Sequence, residues 1–482
     1  MAKWGSCPLY PQKRTSVERV AMSAKCQERT SLPQNLKLAR RIRNRSTKPR
    51  NCIFPSNCQK APAVREAEVS TLGSCKITDR FDPFSADYLA DPYPTFAVAR
   101  DAAPAFYSAD LDHWVVTRYA DVRHVLRTTA EFSAINALEP LTKLCPHAGS
   151  ILKEGGYAAT PALTNLDPPD HARQRRLASA AFTPKRVAAL EPFIRNLAQR
   201  FCDERLRDGH ADMIGEFAWA FPALVLFHVL GLPEADLVRV KEGAYYRGVV
   251  LYGRASEDEQ VAAARELASF WQYAAAMVEA RTKNPGDNFV SALVQARDVD
   301  GDNDALEPRE ATSIMLMMLF AGHETTTNLL GNSFHRLLAD RASWEAICRE
   351  PGLIPNAIEE VLRFDSSVIT WRHKAKQAVD IGGVSVPAEA KLLLLLGSAN
   401  RDPAVFANPD EFDIRRPNAR EHLSFGYGVH NCLGAPLARL EARVVLEEVS
   451  RRLPTLRLAG ITAVEFPPSI SMRGPCSLKV EW

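Results

Sequence analysis

Ten residues near the C-terminus, Phe425-Gly426-Tyr427-Gly428-Val429-His430-Asn431-Cys432-Leu433-Gly434, combine residue types and spacings that can do chemistry. Three glycines at spacings of two and six permit positive-φ turns and let the backbone come close to something large and flat. They surround a single cysteine, Cys432. A helical period begins just behind it, with Pro436 near the first turn and Leu437, Leu440, Val444 and Leu446 recurring, so Cys432 stands at a helix N-terminus. Unsatisfied N–H groups and the positive dipole end favour thiolate over thiol there, and thiolate is the form that ligates metals.

A second pattern interrupts an apolar stretch. Ile314, Met317, Met318, Ala321 and Thr325 fall at offsets 0, 3, 4, 7 and 11 and share one helical face. Ala321-Gly322-His323-Glu324-Thr325-Thr326 then sets a glycine, a carboxylate and hydroxyls in mid-helix. Glycine costs helix stability there and a buried carboxylate costs more, so a local rule is broken where function is expected. Glu360-Val361-Leu362-Arg363 places carboxylate and guanidinium at i, i+3. Asp167-Pro168-Pro169-Asp170-His171-Ala172-Arg173-Gln174-Arg175 reads as a turn that caps a helix carrying His171 and Arg175 four apart on one face.

The ten-residue segment resembles the heme-binding loop of the cytochrome P-450 family, F-G-x-G-x-H-x-C-x-G, at every fixed position. The resemblance implies that Cys432 is the axial thiolate on the iron of heme b (iron protoporphyrin IX), with Phe425 and Gly434 in the same cofactor-binding loop. The helix motif resembles A-G-x-[DE]-T, which gives Gly322 to the cofactor site and a proton relay toward dioxygen to Glu324 and Thr325. Glu360 and Arg363 resemble the structural E-x-x-R pair, with Arg416 in Phe412-Asp413-Ile414-Arg415-Arg416 as its third member. The Asp167–Arg175 segment resembles D-P-P-[ED]-H-x-x-x-R and implies that His171 and Arg175 bind the heme propionates together with His430. A further propionate contact is expected after the E-x-x-R helix, where the family usually has arginine. Counting back from Gly382-Gly383 leaves Arg372 and His373 as alternatives.

The resemblance runs from about Phe81 through Trp482 and keeps the family's motif order. It implies a mainly α fold, a P-450-like helical prism with a small β-rich lobe. The implied activity is heme-thiolate monooxygenation of a small hydrophobic substrate with dioxygen. The chain ends fifty residues past Cys432, so no fused reductase is expected and electrons come from a separate ferredoxin-type reductase system. The wording Ala399-Asn400-Arg401-Asp402-Pro403 and His422-Leu423-Ser424-Phe425 looks like the soluble bacterial branch. Peroxide-driven peroxygenases lack the acid–threonine pair, and a heme-thiolate gas or redox sensor without turnover has no use for it. A zinc protein is disfavoured because no C-x-x-C pair lies near His430 or Cys432.

The body that positions these motifs is ordinary in composition. Of 482 residues, 46 % are hydrophobic and 24 % charged, which excludes collagen-like, wholly disordered and coiled-coil chains. Net charge is +3, but residues 1–70 hold 15 Lys and Arg against 4 acids, net +11, leaving −8 for the rest. An acidic body gives no reason to expect nucleic acid. Residues 1–70 have no apolar period and read as a disordered basic extension, followed by one catalytic domain over 71–482. Ten cysteines are too sparse for a disulfide scaffold and no signal peptide is evident, so a reducing cytoplasm is expected. Phe217–Pro233 is apolar but interrupted by Pro222 and His228 and shorter than the roughly 20 residues of a span, so it reads as a buried helix and no membrane partner is expected. Leu392–Leu396 reads as a buried strand, Phe81–Tyr93 as a lead-in loop, Pro94–Ala102 as a helix, His113–Thr117 as a strand and Asp298–Asp304 as an acidic loop. The expected pocket segments, Phe132–Thr160 and Tyr245–Tyr252, are apolar to aromatic.

Overall fold

Helix dominates, as expected. The computed structural model describes Ile77 and residues 81–296, 305–460 and 464–482; the basic segment 1–70 and the Asp298–Asp304 loop lie outside the described residues. The helical frame comprises α1 (Asp170–Ala181), α2 (Glu191–Arg205), α3 (Phe221–Leu230), α4 (Leu237–Tyr252), α5 (Glu257–Lys283), α6 (Pro308–Ala339), α7 (Ile354–Phe364) and α8 (Ala435–Arg452). At 32 residues α6 is the central element. It starts at a capping box between Glu307 and Glu310 with Pro308 in its first turn. Apolar side chains surround most of its circumference, the pattern of a helix buried on all sides.

Met213–Leu230 is long and apolar enough to cross a membrane by composition, but 72 % of it is buried inside the protein. A turn at Trp219–Ala220 divides it into a short π-helical segment, Met213–Ala218, and α3. Its aromatic residues Phe217 and Phe221 pack with Phe334 of α6 and with Val444 and Val445 of α8 in one core cluster. Each such side chain contributes about 1.5–3 kcal/mol when fully buried.

Among the described residues the strands are, in chain order, β1 (Ala105–Ser108), β2 (His113–Val116), β3 (Phe132–Ser133), β4 (His210–Asp212), β5 (Trp371–Ala375), β6 (Val379–Ile381), β7 (Val384–Val386), β8 (Lys391–Leu394), β9 (Arg457–Leu458) and β10 (Lys479–Glu481). The lobe sheet runs β1-β2-β8-β5-β3; β2 and β8 are parallel and the other pairs antiparallel. Leu392, Leu393 and Leu394 are buried on both faces of β8, which is why the run carries no alternation. The strand stops at Leu394, and Leu396 already opens a short helix to Ala399.

Two local expectations change. The Phe81–Tyr93 lead-in contains a helix, Ala86–Ala90, because the Ser85 hydroxyl accepts the Tyr88 N–H and caps it. The Asp-Pro-Pro-Asp turn precedes α1 without a side-chain cap: Pro169 occupies the cap position, and the Asp167 carboxylate accepts from the Ala134 N–H and pairs with Lys376 instead.

Candidate active site

The Cys432 loop is closed by its own backbone. The Cys432 N–H donates to the Phe425 carbonyl at 2.8 Å, and Gly426 and Gly428 take φ of 70° and 73°. A Cβ on Gly428 would lie 2.7 Å from the Leu126 carbonyl oxygen, so only glycine fits. Gly434 immediately precedes α8, and the Gly434 and Ala435 N–H groups point at the Cys432 sulfur. Cys432 is exposed, yet enough protein surrounds it that burial pushes its thiol above the usual range. It therefore sits on the floor of a cleft. Desolvation outweighs the dipole here, reversing the net direction expected from the helix terminus, although the N–H groups and the Arg175 and Arg439 guanidinium groups pull the other way.

Behind the loop, charges are paired closely. Arg363 meets Glu360 at 2.7 Å and Arg416 meets the same carboxylate at 3.2 Å, the triangle expected for these three residues. A second net, which no motif predicted, joins buried Glu359 to Arg439 at 2.7 Å and His422 at 3.2 Å. Burial alone would raise Glu359, but these two partners hold it at about 2. Arg439 also lies 4.6 Å from the Phe425 ring, tying the loop to α8.

Three imidazoles gather beside the loop. The rings of His171 and His430 are 4.1 Å apart, and the His430 charge reaches His373. His171 Nε2 and His373 Nδ1 are buried without a hydrogen-bond partner. Burial, then the neighbouring cations, lower His171 and His373 to about 4 each. Arg175 lies in the same group, within electrostatic reach of both His171 and Cys432. Orphaned donors and a guanidinium converging at one edge of a cysteine-floored cleft fit the two carboxylates of a heme.

Strand register separates the two propionate alternatives. Arg372 pairs with Leu393 and His373 with Leu392, so the two project from opposite faces of the sheet. Leu392 packs with Phe132 and Ala375, whereas Leu393 packs with Tyr252 and Phe320. His373 joins the histidine group, and the Asn136 amide fixes its carbonyl at 2.9 Å. Arg372 turns away from it, donating through Nη2 to the Ala137 and Leu251 carbonyls.

On α6 the acid and the hydroxyl face different surroundings. Ala321 is exposed and Thr325, one turn on, half-buried; with Met317 and Met318 they form a less covered strip in the middle of the helix. Thr325 Oγ1 donates to the Ala321 carbonyl at 2.9 Å. Glu324 points the other way, with Oε1 2.8 Å from Lys241 Nζ and 3.1 Å from His323 Nε2. Burial would raise Glu324, but the Lys241 ammonium overrides it and holds the carboxyl at about 2. Gly322 answers to packing: a Cβ there would come within 2.8 Å of Leu226 Cδ1 on α3. Lys241 was not singled out from the sequence, although a lysine inside the apolar stripe Leu237, Val240, Ala244 is a visible anomaly.

The geometry agrees with comparisons to known proteins. The profile described as Cytochrome P450 matches residues 352–454. Cytochrome P450 monooxygenase PikC of Streptomyces venezuelae is 33 % identical over 87 % of this chain and 97 % of its own. The 6-deoxyerythronolide B hydroxylase of Saccharopolyspora erythraea is 34 % identical over 81 % of this chain and 96 % of its own. Cytochrome P450 CREJ in complex with (4-ethylphenyl) dihydrogen phosphate superposes with a TM-score of 0.80 at 38 % identity, covering 83 % of this chain and 99 % of that one. Similarity across nearly the whole length of such relatives, in a fold with a cysteine-floored cleft, makes this chain a member of the cytochrome P450 family, a heme b monooxygenase.

Proposed function

We propose that Cys432 holds the heme iron, that His171, Arg175, His373 and His430 hold the propionates, and that the enzyme oxidises a small or medium-sized hydrophobic compound. The observation that carries this reading is the set of partnerless imidazole nitrogens, His171 Nε2 and His373 Nδ1, gathered around His430 beside the Cys432 loop. When bound, heme supplies dioxygen activation and the oxidising power. The Gly434 and Ala435 N–H groups stabilise negative charge on the Cys432 sulfur. Glu324 stays ionised at neutral pH, so it orients and accepts, while Thr325, on the less covered strip, donates a hydrogen bond. Retention of both residues argues against the peroxygenase and sensor readings.

The electron donor is a separate, small, acidic ferredoxin-type protein in the cytoplasm. Support comes from a depression of about 340 Å³ on the outer side of the Cys432 loop, lined by Arg123, Arg420, Arg439 and Tyr427 with Glu421 as its acid. Complementary charge there speeds encounter with an acidic surface. Residues 71–482 form the catalytic domain, and 1–70 contribute nothing to it.

Reduced protein under carbon monoxide tests the central assignment. The Soret band should show the red shift of a thiolate ligand, and Cys432→His should move it to a histidine-like position. An unshifted band in folded, heme-loaded wild type overturns the assignment.

A further inference from the structure

Buried cations in this fold mostly have acids. Lys241 has Glu324, Arg363 and Arg416 share Glu360, Arg473 has Asp365, and Arg401 has Asp410. Three guanidinium groups stand outside this pattern; one, Arg100, donates through Nη1 to the Ser398 carbonyl and hydroxyl and has Asp402, Asp101 and Asp410 within electrostatic reach, which leaves Arg247 and Arg372. Arg247 on α4 is 8 % exposed and Arg372 on β5 is 3 % exposed, and among the described residues neither has a carboxylate within ion-pair distance. The Nε of each is buried without a hydrogen-bond partner. Arg247 makes only a long 3.4 Å bond to the neutral Tyr157 hydroxyl, and Arg372 spends Nη2 on two carbonyls. The exposed Glu139 acts on Arg372 only from beyond ion-pair reach. A guanidinium cannot shed its proton, and burying one without an anion costs several kcal/mol.

The heme carboxylates are not the missing anion. Arg372 leaves the sheet on the face opposite His373, and Arg247 lies on α4, against the central helix. Both arginines instead flank one aromatic pair. Arg372 is 5.7 Å from the Tyr252 ring, Tyr252 and Phe320 stack at 6.2 Å, and Arg247 is 5.9 Å from the Phe320 ring. Phe320 immediately precedes Ala321-Gly322-His323-Glu324-Thr325. Five residues of helix from Phe320 to Thr325 rise about 7.5 Å, the length of an aryl ring with a short side chain.

Resting on the monooxygenase reading above, we infer that the substrate is an organic anion, a carboxylate or phosphate monoester on an aryl or short alkyl body. Arg247 is its direct anchor and Arg372 adds positive field. The segment Tyr245–Tyr252 is thus not purely apolar to aromatic: its one cation is buried and has free donors. Arginine suits the role because its fork matches an oxyanion in two places at once.

The test uses full-length, heme-loaded protein and three probes with one body: 4-butylbenzoate, 4-butylphenyl phosphate and neutral 4-butylphenol, titrated by calorimetry and by the heme spectrum. At least one anion should bind tenfold or more tightly than the phenol, and which anion leads separates carboxylate from phosphate. Arg247→Leu should weaken that anion at least tenfold while leaving the phenol within about twofold and heme content unchanged, and Arg247→Lys should recover part of the loss. Wild type that prefers the phenol, or an Arg247→Leu loss equal for all three probes, overturns the proposal. If Arg247→Leu does not fold, the wild-type preference and its weakening by Arg247→Lys decide. A normal thiolate CO band with no preference for anions fails this inference alone, whereas an abnormal band fails the reading beneath it.

Discussion

Replacing Lys241 by methionine removes one charge of a buried pair while keeping much of the side chain's length. Lys241 Nζ lies 2.8 Å from Glu324 Oε1, and both residues are buried. Removing one partner of such a pair costs about 3–5 kcal/mol, because the remaining charge keeps neither solvent nor counterion. A second route gives a similar figure: Glu324 is held at about 2 against an ordinary 4.5, which at 1.36 kcal/mol per pH unit is about 3 kcal/mol. The folded value lies below the ordinary one, so the unfolded chain takes up the proton first as pH falls. The stabilisation is therefore complete above about 4.5 and is lost toward 2. In Lys241→Met burial acts on Glu324 with less opposition and raises it, so the variant's deficit against wild type narrows between pH 7 and 5. With an unfolding entropy of about 2.1 cal/mol/K per residue over roughly 400 residues, a loss of about 4 kcal/mol lowers the midpoint by about 5 °C. Calorimetry of wild type, K241M, E324Q and the double variant closes the cycle. Each single change should cost about that much, and the double variant should lose well under the sum of the two single losses. Strict additivity, or single variants within about 1 °C of wild type, would refute the reasoning.

Thr325→Ala should leave heme content, substrate binding and folding nearly intact, since alanine is the better helix former, while product per electron falls on the order of a hundredfold and peroxide accumulates. Equal coupling in wild type and variant, with a competent donor and confirmed substrate, removes the proton-donor role from Thr325. Deleting residues 1–70 should leave heme content and the thermal midpoint unchanged; loss of both would show that this segment packs against the body.

The Cys432 loop could be read from sequence because its geometry is local. Glycine at 426 and 428, proline at 436 and an apolar period after it specify turn, cap and helix without reference to anything distant. The long central helix was legible for the same reason, with Ile314, Met317, Met318, Ala321 and Thr325 on one face, but the sequence did not show that Ile314 is buried while Ala321 is exposed. Direction of charge was not. Cys432 was expected to be shifted toward thiolate by the helix terminus, but the surrounding protein outweighs the dipole, and how much protein surrounds a residue is a tertiary quantity.

Arg372 and His373 show most plainly where sequence reading stops. Counting residues from a glycine pair locates a position to within one, and in a strand an error of one moves the side chain to the opposite face. Only the pairing of β5 with β8 shows which of the two shares a face with the histidine group, and that pairing joins segments separated by a hairpin whose length no motif fixes. The same holds for every charged contact that turned out to matter. Lys241 is 83 residues from Glu324, and Asn136 is 237 residues from the His373 carbonyl it holds. A motif states which groups carry the chemistry; the counter-charges that set their protonation arrive from elsewhere in the chain. Arg247, buried with no acid in ion-pair reach and only one long hydrogen bond, is the place where that reasoning points outside the protein, to the ligand.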